Sequence, residues 1–210
     1  MLLSSSNHAI LGPDFYRQQA PQVARALLGM RLVHEQHGQR LAGIITECEA
    51  YLGESDLACH ARAGRTARTA VMYGPPGRAY VYRIYGMYWM LNCVTGAVDD
   101  PQAVLIRAIH PTEGLDQMAQ RRAPLPPAQW TNGPGRLCIA LGIDASLKGV
   151  DLTTPHAGLW IEACEALPDA AVSSTPRIGL ENVPEPWRSQ PWRYVVDLKH
   201  PSTYVSEEST

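Results

Sequence analysis

The chain contains 210 residues, 45% hydrophobic and 18% charged, a composition typical of a folded domain and unlike that of a disordered segment. The net charge of −2 argues against a uniformly basic nucleic-acid binder, no apolar run reaches membrane-spanning length, and no secretory signal is apparent. We therefore expect a cytoplasmic protein with a single domain over residues 1–210 and flexible ends at about 1–12 and 202–210.

Hydrophobic periodicity, turn residues and helix breakers predict short helices and strands in irregular alternation. Thr112 is the predicted N-cap of a helix running through Met118 to Arg122. This mixture predicts an α+β fold in a single mixed domain. The other predicted elements, in chain order, are a helix within Pro13–Leu28 whose residues Val23, Leu27 and Leu28 share one face, strands at Met30–Glu35 and Leu41–Tyr51, a long ordered loop at Leu52–Pro76, strands at Arg78–Ile84, Met87–Val94 and Gln102–Ile109, a helix at Arg136–Leu141, and strands at Leu159–Glu162 and Tyr194–Leu198.

The charge is unevenly distributed along the chain. Residues 60–140 contain nine arginines and four acids, which gives +5, whereas residues 1–59 carry −2 and residues 141–210 carry −5. Arginine suits bidentate phosphate contacts better than lysine does. The central segment is therefore the part of the chain that would attract a polyanion.

Two acids, Glu47 and Glu49, lie in the predicted strand that ends at Tyr51. Because alternate residues of a strand share a face, both carboxylates and Tyr51 project together. At least one of two acids this close needs a neighbouring cation or a shifted pKa. Arg107, which interrupts an apolar strand, needs a carboxylate partner if it is buried. We predict that Arg107 pairs with Glu49 and holds it ionised. The alternative is that both acids are solvated residues of an edge strand.

The loop after this strand contains His60 and three basic residues, Arg62, Arg65 and Arg68, which suit contacts to the phosphates of a polyanion. A metal site built from Cys48, Cys59 and His60 matches no common zinc spacing. The five cysteines are an odd number without a C-x-x-C pair, which argues against a disulfide framework. We expect buried thiols in a reducing compartment and no metal.

An unusually aromatic stretch follows, with four of the nine tyrosines between residues 80 and 88. Tyr80 and Tyr82 fall on one strand face, and the simplest interpretation is an aromatic strand pair in a core. Tyr85 lies at the predicted hairpin turn, where a core residue is not expected. An aromatic side chain at a hairpin tip beside a basic loop is well placed to enter a base stack.

These residues together resemble the alkyladenine (3-methyladenine) DNA glycosylase family. The resemblance extends from about Pro13 to Leu198 and agrees in order and spacing. The segments that carry it are Glu47-Cys48-Glu49-Ala50-Tyr51, His60, Tyr80-Val81-Tyr82-Arg83-Ile84-Tyr85-Gly86-Met87-Tyr88, Asn92, Arg107-Ala108, Gly133-Pro134-Gly135-Arg136-Leu137-Cys138 and Pro176-Arg177-Ile178-Gly179.

The resemblance implies a role for each pocket residue. Glu49 would activate the water that attacks the sugar C1′, and Arg107 would orient Glu49 and that water. Tyr82 would stack on one face of a flipped base, with Tyr51 and His60 on the other.

The resemblance also implies that Tyr85 fills the gap left by the flipped nucleotide and that Asn92 helps to reject normal bases. The expected fold has a curved, largely antiparallel β-sheet with peripheral helices and a protruding β-hairpin, and catalysis needs no cofactor. The expected partner is double-stranded DNA that contains damaged purines. We expect the protein to bind this DNA as a monomer and to have no membrane partner.

Three positions depart from the family pattern: Thr69, Cys48 and His110 stand where Asn, Thr and Glu are common. None removes a proposed catalytic group. The departure at Thr69 leaves open whether this position makes a loop or phosphate contact.

The lysine content bears on the reaction type. A glycosylase that also cuts the strand uses an amine to form a Schiff base, and Lys148 and Lys199 are the only two lysines, far in sequence from every motif. We therefore predict a monofunctional enzyme that leaves an abasic site.

Two alternatives from other classes remain open. A non-catalytic nucleic-acid-binding module would use the arginines and aromatics but would not need Glu49. A small-molecule nucleoside hydrolase would need neither an exposed Tyr85 nor a basic central segment.

Overall fold

The computed structural model describes residues 9–196, and within them the chain forms four α-helices and eight strands. The helices are α1 (Pro13–Tyr16), α2 (Ala20–Leu27), α3 (Leu115–Arg122) and α4 (Pro134–Leu141). The strands are β1 (Arg31–Gln36), β2 (Gln39–Tyr51), β3 (Ala79–Ile84), β4 (Tyr88–Thr95), β5 (Gln102–Glu113), β6 (Leu159–Glu162), β7 (Val172–Thr175) and β8 (Arg193–Val196).

All eight strands belong to one sheet, and every pairing is antiparallel. The strand order is β3-β4-β5-β2-β1-β6, and β8 pairs with both β2 and β7. Register shifts between β2 and β5, near Ala42 and Glu47, bend the paired strands. The sheet curls into a half-barrel, so the predicted α+β class and curved antiparallel sheet are confirmed.

Strand β2 is the centre of this sheet. It pairs with β1 through its first half, with β5 from Ala42 to Tyr51, and with β8 from Glu47 to Glu49. Glu49 is consequently 0% exposed. The alternative in which both acids are solvated edge residues is therefore wrong.

Helix α2 packs against β2 with the predicted residues Val23 and Leu27 buried. Leu28 is buried too, but it lies in extended conformation just beyond the end of the helix. The predicted single helix is divided, because α1 ends at Tyr16 and α2 begins at Ala20. Among residues 9–196, no helix combines the length and apolar character needed to cross a bilayer.

The chain termini differ in part from expectation. The Leu11 amide donates to the Ile161 carbonyl at 2.9 Å and its side chain is buried. The flexibility predicted for residues 1–12 therefore does not extend to residues 9–12. Residues 1–8 and 202–210 lie outside the described part of the chain.

The long segment after β2 is an ordered loop, as predicted, and it contains three 3-10 helices at Gly53–Ser55, His60–Ala63 and Ala70–Tyr73. Cys59 and Met72 from this loop pack with Tyr80 of β3 in a small hydrophobic cluster, separate from the main core. The loop is thus fixed against the strand pair that carries the aromatic residues.

Three predictions of secondary structure need correction. Thr112 is not an N-cap, because it lies in β5, which continues pairing as far as Glu113; α3 instead follows Gly114, whose φ of 72° favours glycine. Strand β8 begins at Arg193, one residue before the predicted start, and is described as far as Val196; residues 197 and 198 of the predicted strand lie outside the described range. Strand β7 has no apolar alternation in its sequence and was not predicted.

Candidate active site

Glu49 lies at the centre of a network of polar contacts. The Tyr51 hydroxyl donates to its Oε2 at 2.8 Å and the Ile178 amide donates to its Oε1 at 2.8 Å. The Arg107 Nη1 atom lies 3.3 Å from Oε2. Burial raises the pKa of Tyr51 well above its usual value, so the phenol keeps its proton and remains a donor to the carboxylate.

Arg107 contacts both acids of β2. The predicted ion pair with Glu49 is confirmed, but the shorter contact is with Glu47, whose Oε1 accepts from Arg107 Nε at 2.7 Å. The same Oε1 accepts from Arg193 Nε at 2.6 Å. Burial opposes the guanidinium charge, yet Glu49 and Glu47 outweigh it and raise the pKa of Arg107. Two carboxylates are thus balanced by two arginines.

A cavity of about 270 Å³ adjoins this network. The three groups that contact Glu49, namely Tyr51, Arg107 and Ile178, all line it, whereas Glu49 lies immediately behind them. Most of the remaining wall is aromatic or apolar. The other lining residues are Ala58, Cys59, His60, Met72, Tyr80, Tyr82, Ile84, Tyr85, Met90, Asn92, Ala103, Leu105, Pro134, Gly179 and Leu180.

Every residue that the sequence predicts for the base pocket borders this cavity. Asn92 is buried and its side-chain amide donates to the Tyr80 carbonyl at 3.1 Å, which leaves its carbonyl oxygen as an acceptor. A buried acceptor of this kind can distinguish between ligands by the hydrogen-bond donors that they offer.

His60 and Tyr82 meet edge to face, with ring centroids 4.5 Å apart. A base stacked between two rings needs about 7 Å, twice a van der Waals spacing. The expected arrangement, with the base between Tyr82 and His60, therefore requires one of these rings to move.

His60 is held in its neutral form. Its Nδ1 lies 3.0 Å from the Tyr80 hydroxyl, and its Nε2 lies 3.4 Å from Arg68 Nη2. Burial first, and then the charges of Arg68 and Arg62, lower the pKa of His60 to about 4. Because a guanidinium only donates, Nε2 accepts from Arg68 and Nδ1 carries the proton and donates to the Tyr80 hydroxyl, so both ring nitrogens are engaged within the protein.

This lowered pKa predicts a pH-dependent stability. Between about pH 6.5 and 4 the unfolded chain binds a proton at His60 that the folded chain does not, so stability falls as the pH decreases. We expect wild type to lose about 2 kcal/mol more unfolding free energy over this range than His60→Gln, allowing for solvent screening. Urea unfolding at a series of pH values measures this difference, and identical pH dependence in both proteins would contradict it.

The hairpin between β3 and β4 presents Tyr85 to solvent. The Met87 amide donates to the Ile84 carbonyl at 3.1 Å, and Tyr85 and Gly86 both have positive φ, 52° and 68°. Such turns favour Asn, Asp or Gly at the first position, so a bulky residue there is strained. Tyr85 is nevertheless 82% exposed. Neither turn propensity nor burial explains why a tyrosine stands at this position, which points to a functional role for its side chain.

The three loop arginines lie in different environments. Arg62 and Arg68 line a second cavity of about 450 Å³, which shares residues 58–60 with the first. The Arg68 guanidinium lies 5.1 Å from the centre of the Tyr82 ring. Arg65 instead faces Asp99 at 3.6 Å and stacks over Tyr73, so it is already engaged within the protein.

Thr69, which departs from the family pattern, stabilises the same loop. Its hydroxyl donates to the Gly64 carbonyl at 3.0 Å and accepts from the Thr66 amide at 2.8 Å. The substitution therefore has a local structural role in the loop.

Residues 9–196 contain no group of three or more His, Cys, Asp or Glu side chains arranged to hold a metal ion. Cys48 is buried in the main core, whereas Cys59 belongs to the small cluster of the loop. The two thiols are thus in different hydrophobic clusters, as expected for small apolar residues.

Sequence reasoning did not identify three residues that complete the site. Ile178 donates its amide to Glu49 from 129 positions away. Asp56 and Arg177 form an ion pair in which neither side chain is exposed. Arg177 and Ile178 were noted only as part of a motif of the family, and Asp56 was not singled out.

Comparison with known proteins identifies one family along nearly the whole chain. The family model described as methylpurine-DNA glycosylase matches residues 14–200. The chain is 47% identical over 193 residues to a protein of Myxococcus xanthus, covering 91% of this chain and 93% of that protein. It is 44% identical over 190 residues to one of Herpetosiphon aurantiacus (89% and 85% covered).

A third relative, from Desulfitobacterium hafniense, is 43% identical over 205 residues, with 93% of this chain and 98% of that protein covered. All three bear the name "Putative 3-methyladenine DNA glycosylase". The family model and these relatives cover nearly the whole chain, so the resemblance found in the sequence is confirmed: the chain belongs to the methylpurine-DNA glycosylase family.

Proposed function

We propose that this chain is a base-excision-repair DNA glycosylase, which flips an alkylated or deaminated purine out of duplex DNA and hydrolyses its N-glycosidic bond. Family membership supports the glycosylase role. The observation that carries the assignment of the site is the position of Glu49. This fully buried carboxylate has its hydrogen-bond donors, Tyr51 and Ile178, and its ionic partner, Arg107, in the wall of one aromatic cavity.

Glu49 is suited to act as a general base. A carboxylate offers about four lone-pair sites, and Tyr51, Arg107 and Ile178 occupy three of them. A site on Oε1 is left for a water molecule. The water oxygen attacks the sugar C1′, Glu49 takes its proton, and the bond from C1′ to the base nitrogen breaks with its electron pair going to the base.

The leaving group determines what else the site must supply. A purine alkylated at N3 or N7 is cationic and leaves as a neutral base, and stacking such a cation on Tyr82 is worth about 0.5–2 kcal/mol. A neutral base such as hypoxanthine must also gain a proton. Damaged bases cost less to unstack, which adds to selectivity.

The DNA would lie across the hairpin and the basic loop. We assign Tyr85 to the gap left by the flipped nucleotide, and Arg62, Arg65 and Arg68 to the phosphates; Arg65 must first leave Asp99. The assignment is supported by the exposure of Tyr85 and by the +5 charge of residues 60–140. We expect a monomer, acting on chromosomal DNA in the cytoplasm, as suits its bacterial relatives.

We also propose that the reaction ends at the abasic site. Lys148 lies nearer to the site than its sequence position suggests, because its ammonium group donates to the Ala67 carbonyl in the arginine loop at 3.4 Å. It contacts none of the residues around Glu49, and Lys199 lies outside the described residues. Water activated by Glu49 is therefore the proposed nucleophile.

The function is tested with duplexes that each contain one lesion: 3-methyladenine, 7-methylguanine, hypoxanthine or ethenoadenine. We expect base release from at least one duplex, with strand breaks only after alkali. Binding without release from any of the four would favour a non-catalytic module. Equal release from free nucleosides would favour a nucleoside hydrolase, and breaks before alkali would contradict the monofunctional reaction.

Tyr85→Ala is expected to weaken flipping by about 5- to 100-fold, the value of about 1–3 kcal/mol for one base–aromatic stack. Tyr85→Phe keeps the ring and should stay within about twofold of wild type. The fluorescence change of a base analogue placed at the lesion measures flipping. A wild-type response from Tyr85→Ala would exclude the role of Tyr85 in the base stack.

A further inference from the structure

Asp56 and Arg177 form an ion pair from which solvent is completely excluded. Both carboxylate oxygens accept from the guanidinium, one of them from Nη2 at 3.0 Å. Arg177 also donates to the Ala50 carbonyl at 2.9 Å and to the Trp187 carbonyl at 3.2 Å. The planar guanidinium thus makes four directed hydrogen bonds, an arrangement that lysine cannot reproduce.

This pair joins three separate parts of the chain around the cavity. Asp56 accepts from the Leu52 and Ala58 amides at 3.1 and 3.0 Å, and so fixes the start of the loop that leads to His60. The bond to the Ala50 carbonyl fixes the end of β2, between Glu49 and Tyr51. The third part is the segment after β7, in which Ile178 immediately follows Arg177.

The guanidinium is also stacked between two aromatic rings. Its central carbon lies 4.7 Å from the centre of the Tyr51 ring and 4.9 Å from that of Trp192. Tyr51 lines the cavity, whereas Arg177 does not. Arg177 therefore supports the face of the Tyr51 ring that points away from the cavity. The next residue, Ile178, donates its backbone amide to Glu49.

Stability alone does not explain such a pair. The desolvation of two buried charges roughly offsets their attraction, and well-packed apolar residues often replace a buried ion pair without loss of stability. What apolar residues cannot supply is this set of directed bonds. The bonds of Asp56 and Arg177 end on the backbone immediately beside Glu49, Tyr51 and Ile178.

We propose that Asp56 and Arg177 are positioning residues for the reaction: together they hold the Ile178 amide against Glu49 and the Tyr51 ring against the bound base. The proposal rests on the proposed glycosylase function. Displacements of about 1 Å at a reacting centre can cost about 100-fold in rate. Loss of the pair should therefore slow base release much more than it weakens DNA binding.

The test compares Arg177→Lys with Arg40→Lys. Arg40 is a matched control at the other end of β2: it donates to Glu162 at 2.7 Å and lies 5.6 Å from the centre of the Trp160 ring. For Arg177→Lys we expect single-turnover base release to fall about 10- to 100-fold, with affinity for abasic-site DNA within about twofold. Arg40→Lys should lose thermal stability but release base at the wild-type rate.

Hydrogen exchange provides a readout that does not depend on activity. The Ile178 amide should exchange at least about tenfold faster in Arg177→Lys, whereas the Val33 amide in β1 should be unchanged. If Arg177→Lys does not fold, Asp56→Asn gives the same test, since it removes the charge of the pair while its side-chain oxygen can still accept from the Ala58 amide. Wild-type release together with unchanged Ile178 exchange in the folded variant would overturn the proposal. If wild type releases no base, yet the Ile178 amide exchanges faster in Arg177→Lys than in wild type, only the proposed function would be contradicted.

Discussion

Glu49→Gln is expected to lower the rate of base release by at least about 100-fold, because a general base contributes about 10²–10⁴-fold. The amide cannot take a proton from water, but its oxygen can still accept from the Ile178 amide, as Glu49 does at 2.8 Å. The fold and the affinity for DNA should therefore survive. Single-turnover release of hypoxanthine, measured beside the affinity for the same duplex, separates the two effects.

Glu47→Gln is the matched control for this change. Glu47 lies on the same face of β2 and shares Arg107 with Glu49, but it does not line the cavity and accepts from neither Tyr51 nor Ile178. We expect its release rate to stay within about tenfold of wild type. A greater loss in Glu47→Gln than in Glu49→Gln would show that the catalytic base has been assigned to the wrong acid.

The features that could be predicted from the sequence are those that local backbone geometry determines, namely the faces of a strand and the position of a turn. Strand alternation placed Glu47, Glu49 and Tyr51 on one face, and the hydrogen bond between Tyr51 and Glu49 confirms it. The hairpin turn at Tyr85 and Gly86 was predicted for the same reason, since glycine readily adopts the positive φ such turns need. These features depend on neighbours within a few residues.

Contacts between distant segments could not be predicted in this way. Ile178 reaches Glu49 across 129 positions and through its backbone amide, so no side-chain chemistry marks it. The partner of Asp56 is 121 positions away, and an isolated Asp in a loop resembles many surface residues. Both contacts depend on where the segment after β7 crosses the sheet, which local patterns do not specify.

The choice between two nearby acids was also only partly predictable. The sequence predicted a cation or a shifted pKa for at least one acid of β2, and it assigned Arg107 to Glu49 alone. The structure divides Arg107 between both acids and adds Arg193 to Glu47. A strand is too regular to indicate which of two alternate residues lies closer to a given neighbour. The bulge between β2 and β5 beside Glu47 changes the local register, and the pattern gave no sign of it.

Arg107→Met should have a large effect on both stability and activity. It removes the cation shared by Glu47 and Glu49 while Glu49 remains fully buried. Removing one partner of a buried pair costs about 3–5 kcal/mol, and we expect a decrease of this size in the free energy of unfolding, measured with urea. Base release should fall at least about 100-fold, because the carboxylate also loses its orientation.

Arg193→Met distinguishes positioning from simple charge balance. The Arg193 side chain donates to Glu47 at 2.6 Å, whereas Arg193 faces Glu49 only as its backbone partner across β2 and β8. Its loss should therefore reduce stability while base release stays within about fivefold of wild type. The double variant Arg107→Met/Glu49→Gln should be more stable than Arg107→Met alone, because it no longer buries an uncompensated charge. Equal losses of activity in Arg107→Met and Arg193→Met would mean that Arg107 acts only as a counter-ion. A double variant no more stable than Arg107→Met would show that the charge of Glu49 is not what Arg107 compensates.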